Sequence, residues 1–469
     1  MFRFLGRSFL LWLLILSLSL PSNLWAFGRF GIQDEAELGK EFQVLMQAKF
    51  PVIKDPIVVD YIQGLLDRVR QGMPPQPFAL TLSVLLDPSI NAFAAPAGYV
   101  FINTGLIQEM EDEGELAAVL AHELAHVAER HISQRIEQSQ LVSIGTLVGV
   151  LAGALLGGGG SALGEALAVG SMATGQAASL KYSRDDEREA DRMGLHFLTQ
   201  AGYDPMAMKH SFEHIKENMR MSGTTTPPAY MLTHPGLNER IGSVQDVARH
   251  FPPKNPLAKK DNQTLERIKL LLQTKYTPTP GDCPLLSQAT SDLTCLQVLG
   301  KAIVQARLNR MQEAEATFAQ ALDCRNRDAL WLREAGWFAF EQGNYQRALN
   351  LLNQALREDA GDYLTRYYRA RVLAETGATA QAVTDLRLVL QSVPEEEEVH
   401  RTLGRVVGRS GDHFHGYLHL AYASLYDHKP KETASYWKKA KELASGPGQK
   451  DALERFETQY EERQKIWAK

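Results

Sequence analysis

The residues best suited to chemistry in this 469-residue chain are His122, Glu123 and His126. They stand in the run His122-Glu123-Leu124-Ala125-His126, the pattern H-E-x-x-H. On a helix, positions four apart share a face, so both imidazoles can hold one metal ion with Glu123 beside it. The flanking residues predict that helix. Asp112 and Glu115 make a capping pair, and Leu116, Leu120, Leu124 and Val127 form an apolar stripe. The pattern is short enough to arise by chance, and alone it also fits a surface helix with two histidines. A charged run downstream supplies context. Ser183-Arg184-Asp185-Asp186-Glu187-Arg188-Glu189-Ala190-Asp191 begins another helix, with Ser183 as its cap. Glu187 and Asp191 lie one turn apart, and small Ala190 and Gly194 would let this helix approach another closely. Glu187 is then placed to be a third ligand, and Asp191 to accept a hydrogen bond from a ligand imidazole. By itself this run also fits a solvated face of charge pairs. Two histidines and one carboxylate leave a coordination position open, the arrangement of catalytic zinc, so one Zn2+ per chain is expected.

These groups need elements to hold them. Residues 80–86 and 98–102 read as short strands, the second containing Tyr99, Val100, Phe101 and Ile102. Residues 141–156 are nearly uncharged and rich in Gly, Ala and Val, and four glycines follow. This is read as a tightly packed buried helix and a Gly-rich loop, with transient membrane contact as the alternative. A break falls at residues 251–262. Beyond it the chain is helical and repetitive. Ala314, Ala348 and Ala382 are 34 residues apart, and Ala302, Gly336 and Ala370 precede them at a constant offset, as do Asn309, Gly343 and Gly377. This period is that of tetratricopeptide repeats, which present a concave surface to another protein. Ala421, Trp437 and Ala440 are out of phase with the first three copies, so residues 395–412 are expected to hold irregular helices. Residues 451–467 read as a final capping helix.

Composition excludes several classes. Apolar residues are 44% and charged residues 22%, a folded balance that argues against disorder. Fifty basic against 55 acidic residues leave a net charge of −5, so no nucleic-acid partner is expected. Arg3 and Arg7 precede an apolar core of residues 9–20, then Pro21 and a small Ala26. That is the pattern of a cleaved export signal, too short for a stable span. Three domains follow: a signal at 1–26, a catalytic domain at 27–256 and a repeat domain at 257–469. An exported protein can keep disulfides. Cys283 and Cys295 could close a small loop and Cys324 is expected to be a buried small apolar residue, but three cysteines leave the pairing open.

His122-Glu123-x-x-His126 followed by Ser183-Arg184-x-x-Glu187-x-Glu189-Ala190-Asp191 resembles the peptidase family of HtpX and the CAAX prenyl proteases. Asn91-Ala92-Phe93-Ala94-x-Pro96-x-Gly98-Tyr99-Val100-Phe101 and Thr233-His234-Pro235, with Arg240 beyond, fit as well. The resemblance covers most of residues 30–250. It implies a zinc metalloendopeptidase in which Glu187 is the third ligand and His234 and Arg240 stabilise the transition state. Those relatives span membranes many times. A signal, a peptidase domain and repeats look instead like the family's periplasmic branch. That branch implies misfolded or stalled outer-membrane proteins as clients and contact with the β-barrel assembly machinery through the repeats. The expected fold is α+β, mostly α: a zincin-like metalloprotease domain followed by an all-α tetratricopeptide-repeat solenoid. Glu123 is expected to carry the proton. Residues 99–103, ending at Asn103, are expected to be an edge strand that pairs with substrate. The loop at 219–228 would let His234 occupy the open zinc position as a latch. The alternative is mainly a chaperone or adaptor with latent, self-inhibited protease activity.

Overall fold

The computed structural model describes residues 30–138, 182–221, 229–257 and 262–467. The expected signal, the apolar segment at 141–178 and residues 222–228 of the loop before His234 lie outside the described residues. Helices α1 (Ile32–Lys49) and α2 (Pro56–Arg70) come first. The Asp55 side chain caps α2, and Pro56 takes its first turn, where a missing N–H costs nothing.

A three-stranded sheet follows, of β1 (Thr81–Leu85), β2 (Ala92–Ala95) and β3 (Tyr99–Asn103), in the order β1-β3-β2. β3 pairs in parallel with β1 (Thr81 opposite Tyr99) and antiparallel with β2 (Ala95 opposite Tyr99). The expectation that Tyr99, Val100, Phe101, Ile102 and Asn103 form a sheet edge is therefore overturned: they are the central strand, and β2 is an edge. The sequence hides β2 because alanine is a poor strand former. What makes it a strand is the tight turn Pro96–Gly98, where Ala97 and Gly98 adopt left-handed φ of 63° and 79°.

Behind the sheet lie α3 (Thr104–Glu109), α4 (Glu113–Ala128), α5 (His131–Gln138), α6 (Arg184–Gln200), α7 (Met206–Met221), α8 (Ala229–Thr233) and α9 (Leu237–Ala248). α4 is the axis of this half. Asp112 accepts from the Glu115 N–H at 3.0 Å, and Glu115 reaches back to the Glu111 N–H at 2.7 Å. Every residue from Leu116 to His126 is buried, so the stripe read from the sequence is a helix buried all round. Burying Leu116, Leu120 and Leu124 contributes about 1.5–3 kcal/mol each. α6 is capped by Ser183, which accepts from the Asp186 N–H at 3.2 Å. It lies close against α4 at Gly194, where an added Cβ would stand 3.2 Å from the Ala121 backbone.

α10 (Gln263–Thr274) joins the halves. Its Leu265, Ile268 and Leu272 belong to the α4 core, and its Leu271 to the first repeat core. Helix pairs then stack: α11 (Cys295–Arg307) with α12 (Met311–Cys324), α13 (Ala329–Glu341) with α14 (Tyr345–Glu358), α15 (Tyr363–Glu375) with α16 (Thr379–Ser392), and α17 (Glu397–Arg409) with α18 (His413–Tyr426). α19 (Pro430–Leu443) and α20 (Pro447–Trp467) close the array.

The expected irregularity at 395–412 is absent. α17 and α18 continue the 34-residue period, and Asn309, Gly343, Gly377 and Gly411 all hold the positive φ of its turn. The fourth copy escapes notice because Gly416 stands where Ala314, Ala348 and Ala382 stand in the earlier copies, while Gly404 matches Gly336. Their helices touch so closely that a Cβ on Gly404 would lie 2.9 Å from the Gly416 carbonyl oxygen.

The cysteine expectation is also corrected. Cys295 bonds Cys324, with Cα atoms 5.8 Å apart, and Cys283 is free. Cys295 starts α11 and Cys324 ends α12, and an antiparallel hairpin brings those ends together. Among the described residues, no helix is long and apolar enough to cross a membrane.

Candidate active site

α4 presents His122 and His126 one turn apart, and α6 lays Glu187 against them. α8 ends just before His234, whose backbone N–H bonds the Tyr230 carbonyl at 2.8 Å. All four side chains are buried. His122 Nε2 lies 3.1 Å from His126 Nε2 and 3.3 Å from His234 Nδ1. Glu187 stands 3.0 Å from His234 Nδ1, 3.4 Å from His122 Nε2 and 3.7 Å from His126 Nε2.

Tetrahedral zinc, about 2.0–2.1 Å from each ligand, would hold its ligand atoms roughly 3.3 Å apart. The spacing and the donor set of three imidazoles and a carboxylate fit such an ion.

Glu123 points into the same space. Its Oε2 accepts from the Ala94 N–H on β2 at 3.1 Å, and its Oε1 lies 3.5 Å from His234 Nε2. Burial, the largest influence, pushes its carboxyl up to about 7. Asp191 Oδ1 lies 3.1 Å from His122 Nδ1. Arg240, from α9, donates to Asp191 at 2.8 and 2.6 Å, ion-pairs with Glu187, and stacks 4.5 Å above the Phe212 ring. Burial opposes the ionised Glu187, but the Arg240 guanidinium and His234 outweigh it and hold the carboxyl well below its usual range. Burial, with His122 beside it, holds the His126 imidazole well below its ordinary value.

The structure thus brings His122, Glu123, His126, Glu187, Asp191, His234 and Arg240 together, and leaves residues 99–103 one strand away from Glu123, which bonds β2. Three residues were not singled out in the sequence. His131 is buried with its Nδ1 2.9 Å from His126 Nδ1. Tyr182 stacks on His126 (centroids 3.7 Å) with its hydroxyl 3.5 Å from the Ala94 carbonyl. Tyr230 stacks on His234 (4.4 Å). Only Tyr230 carried a signal, its spacing of one helical turn before His234.

Residues 57–248 match Peptidase family M48, and residues 339–406 match a tetratricopeptide repeat. The first segment is an M48 peptidase domain, and it is followed by tetratricopeptide repeats. The chain is 30% identical over 240 residues to the Yersinia pestis protein named beta-barrel assembly-enhancing protease, a match covering 51% of this chain and 49% of that one. A Vibrio cholerae protein bearing the same name provisionally is 31% identical over 295 residues, covering 62% of this chain and 60% of that one. The mitochondrial metalloendopeptidase OMA1 of Schizosaccharomyces pombe is 33% identical over 186 residues, covering 40% and 52%. The matched stretches span about half to three-fifths of these relatives' own lengths.

Proposed function

We propose that this chain is an exported, periplasmic zinc endopeptidase that hydrolyses peptide bonds of misfolded or stalled outer-membrane proteins, which its repeats recruit. The observation that carries the reading is the buried convergence of His122, His126 and Glu187 beside Glu123. The names of the relatives support the class of client and a link to the β-barrel assembly machinery. A cavity of about 600 Å3 between the N-terminal helices and the repeats, lined by Phe50, Tyr363, Tyr367, Tyr426, Arg371 and Glu396, supports recruitment of a polypeptide by the repeats.

In this reading His122, His126 and Glu187 hold one zinc ion. When bound, the ion supplies Lewis acidity and a water that deprotonates near neutrality. Glu123 takes the water's proton and delivers it to the leaving amine, a role suited to a carboxyl pushed up to about 7. Asp191 and His131 fix the two ligand imidazoles from behind. Arg240, which bonds Asp191 and ion-pairs with Glu187, is assigned to holding those carboxylates. Substrate adds in extended form along β2, where the Ala94 N–H and carbonyl face Glu123 and Tyr182.

His234 lies where a fourth ligand would, which supports a latch that keeps the enzyme latent until a client displaces it. Glu123→Gln is expected to retain zinc and lose cleavage by roughly 100- to 10,000-fold; undiminished cleavage would refute the reading. If His234→Ala changed neither basal cleavage nor the visible spectrum of the cobalt-substituted protein, the latch would be excluded.

A further inference from the structure

Peptide hydrolysis places negative charge on the scissile carbonyl oxygen, and donors aimed at that oxygen lower the barrier. Arg240 bonds Asp191, ion-pairs with Glu187 and lies 3.3 Å from His122 Nε2, so its guanidinium is turned toward the ligand set. We propose that Tyr230 is a further catalytic residue, its phenol O–H donating a hydrogen bond to the oxyanion formed at the scissile carbonyl. This rests on the endopeptidase reading above.

Tyr230 is completely buried, and its hydroxyl has no hydrogen-bond partner. Buried hydroxyls are nearly always paired, and leaving one unpaired is a cost to the fold. Its ring lies among the site's imidazoles, with centroids 6.4 Å from His122 and 4.4 Å from His234. Its position is fixed from both ends. The backbone N–H bonds the Ile90 carbonyl at 3.1 Å, just before β2, and the ring stacks on His234 at 24°. Tyr182, on the other side of His234 with centroids 5.2 Å apart, differs in one respect: its hydroxyl already has the Ala94 carbonyl. Of the two phenols flanking His234, Tyr230 is the one with a free donor.

In the step, the water oxygen bonds the carbonyl carbon and the π pair moves to the carbonyl oxygen. The water's proton passes to Glu123. Tyr230 donates to the new oxyanion and keeps its proton. The carbonyl then re-forms as the C–N bond breaks, and the nitrogen takes the proton from Glu123.

The test compares Tyr230→Phe with wild type as full-length, zinc-loaded protein, and repeats the pair on a His234→Ala background. Phenylalanine preserves the ring and removes only the donor. Expected are unchanged zinc content, a KM within about twofold, and a kcat lower by roughly 100- to 1,000-fold. Affinity for a phosphinic peptide, which mimics the tetrahedral adduct, should fall with kcat. The thermal midpoint should stay equal or rise, since an unpaired buried hydroxyl has been deleted. Unchanged kcat and phosphinic-peptide affinity would overturn the proposal. So would lost zinc with a lowered midpoint, which would mark a structural role. Glu123→Gln in parallel separates the two levels. If it cleaves, or if neither wild type nor His234→Ala binds the phosphinic peptide, the endopeptidase reading fails; if it is silent while Tyr230→Phe is fully active, only the Tyr230 role fails.

Discussion

Arg333 and Glu187 are both fully buried charges, in different halves of the chain, and their surroundings differ. Arg333 on α13 grips Asp55, the cap of α2, through two bonds of 2.9 and 2.8 Å. It also reaches Asp362 at 3.1 Å and Glu334 at 2.9 Å. Lys275 joins Glu334 at 2.6 Å, and the Tyr276 hydroxyl donates to Asp55 at 2.9 Å. No buried side-chain atom of Asp55, Lys275, Arg333, Glu334 or Asp362 is left without a partner. Around Glu187, by contrast, Glu123 Oε1, His234 Nε2 and the Tyr230 hydroxyl lack hydrogen-bond partners, and imidazole nitrogens face one another. A saturated ionic cluster joins two parts of a fold. One left short of cations and partners is built to receive something, and its incompleteness is the functional signal.

The largest expected effect tests the saturated cluster. Arg333→Met leaves Asp362 buried without its cation and Asp55 with only Lys275, 3.7 Å away, and should destabilise the protein by about 3–5 kcal/mol in urea unfolding, with zinc binding retained. A loss under about 1 kcal/mol would show that the joint is not made by this cluster.

A third polar pair, buried at His400 and half-buried at His419, sharpens the contrast. His400 Nε2 donates to the Pro394 carbonyl at 2.9 Å, and its Nδ1 faces His419 Nδ1 at 3.0 Å, with no carboxylate among these contacts. Burial lowers the His400 imidazole to about 4. The folded state therefore resists a proton that the unfolded chain takes up below about 6.5. The His400 contribution to stability is full above that pH and is lost as pH falls toward 4, by about 3 kcal/mol, and burial of the His419 imidazole acts in the same sense. His400→Gln should flatten this dependence in unfolding measured from pH 7 to 4; an unchanged slope would assign the acid sensitivity elsewhere.

The smallest effect belongs to the incomplete cluster. His131→Ala and Asp191→Asn should each weaken zinc affinity by about 10- to 100-fold, or about 1.4–2.7 kcal/mol, in competition with a chelator. Unfolding of the repeats should not change. Unaltered zinc affinity would remove both residues from the metal site.

Much of the site could be read along the chain because its groups sit on two helices at regular spacing. His122, Glu123 and His126 share one turn of α4, and Glu187 and Asp191 one turn of α6, each with a side-chain cap that marks where its helix starts. The repeats were legible for the same reason, until glycine replaced alanine where α17 and α18 cross. His131 and Tyr182 were not, since each reaches the site from a position with no periodic relation to the ligands. β2 was hidden by its alanines, and with it the true edge of the sheet.

The chemistry of the site follows from local order: helical spacing dictates which side chains share a face, and that much the sequence determined alone. Three matters were decided only by tertiary structure. Strand order depends on which segments pair across the sheet, so the sequence could not say that residues 99–103 lie in the middle. The Cys295–Cys324 bond depends on how two helices turn back on each other. The unpaired Tyr230 hydroxyl, like the paired Arg333, depends on what the rest of the chain packs around it. Spacing along one helix is a local property, whereas whether a buried polar atom finds a partner is a property of the whole fold.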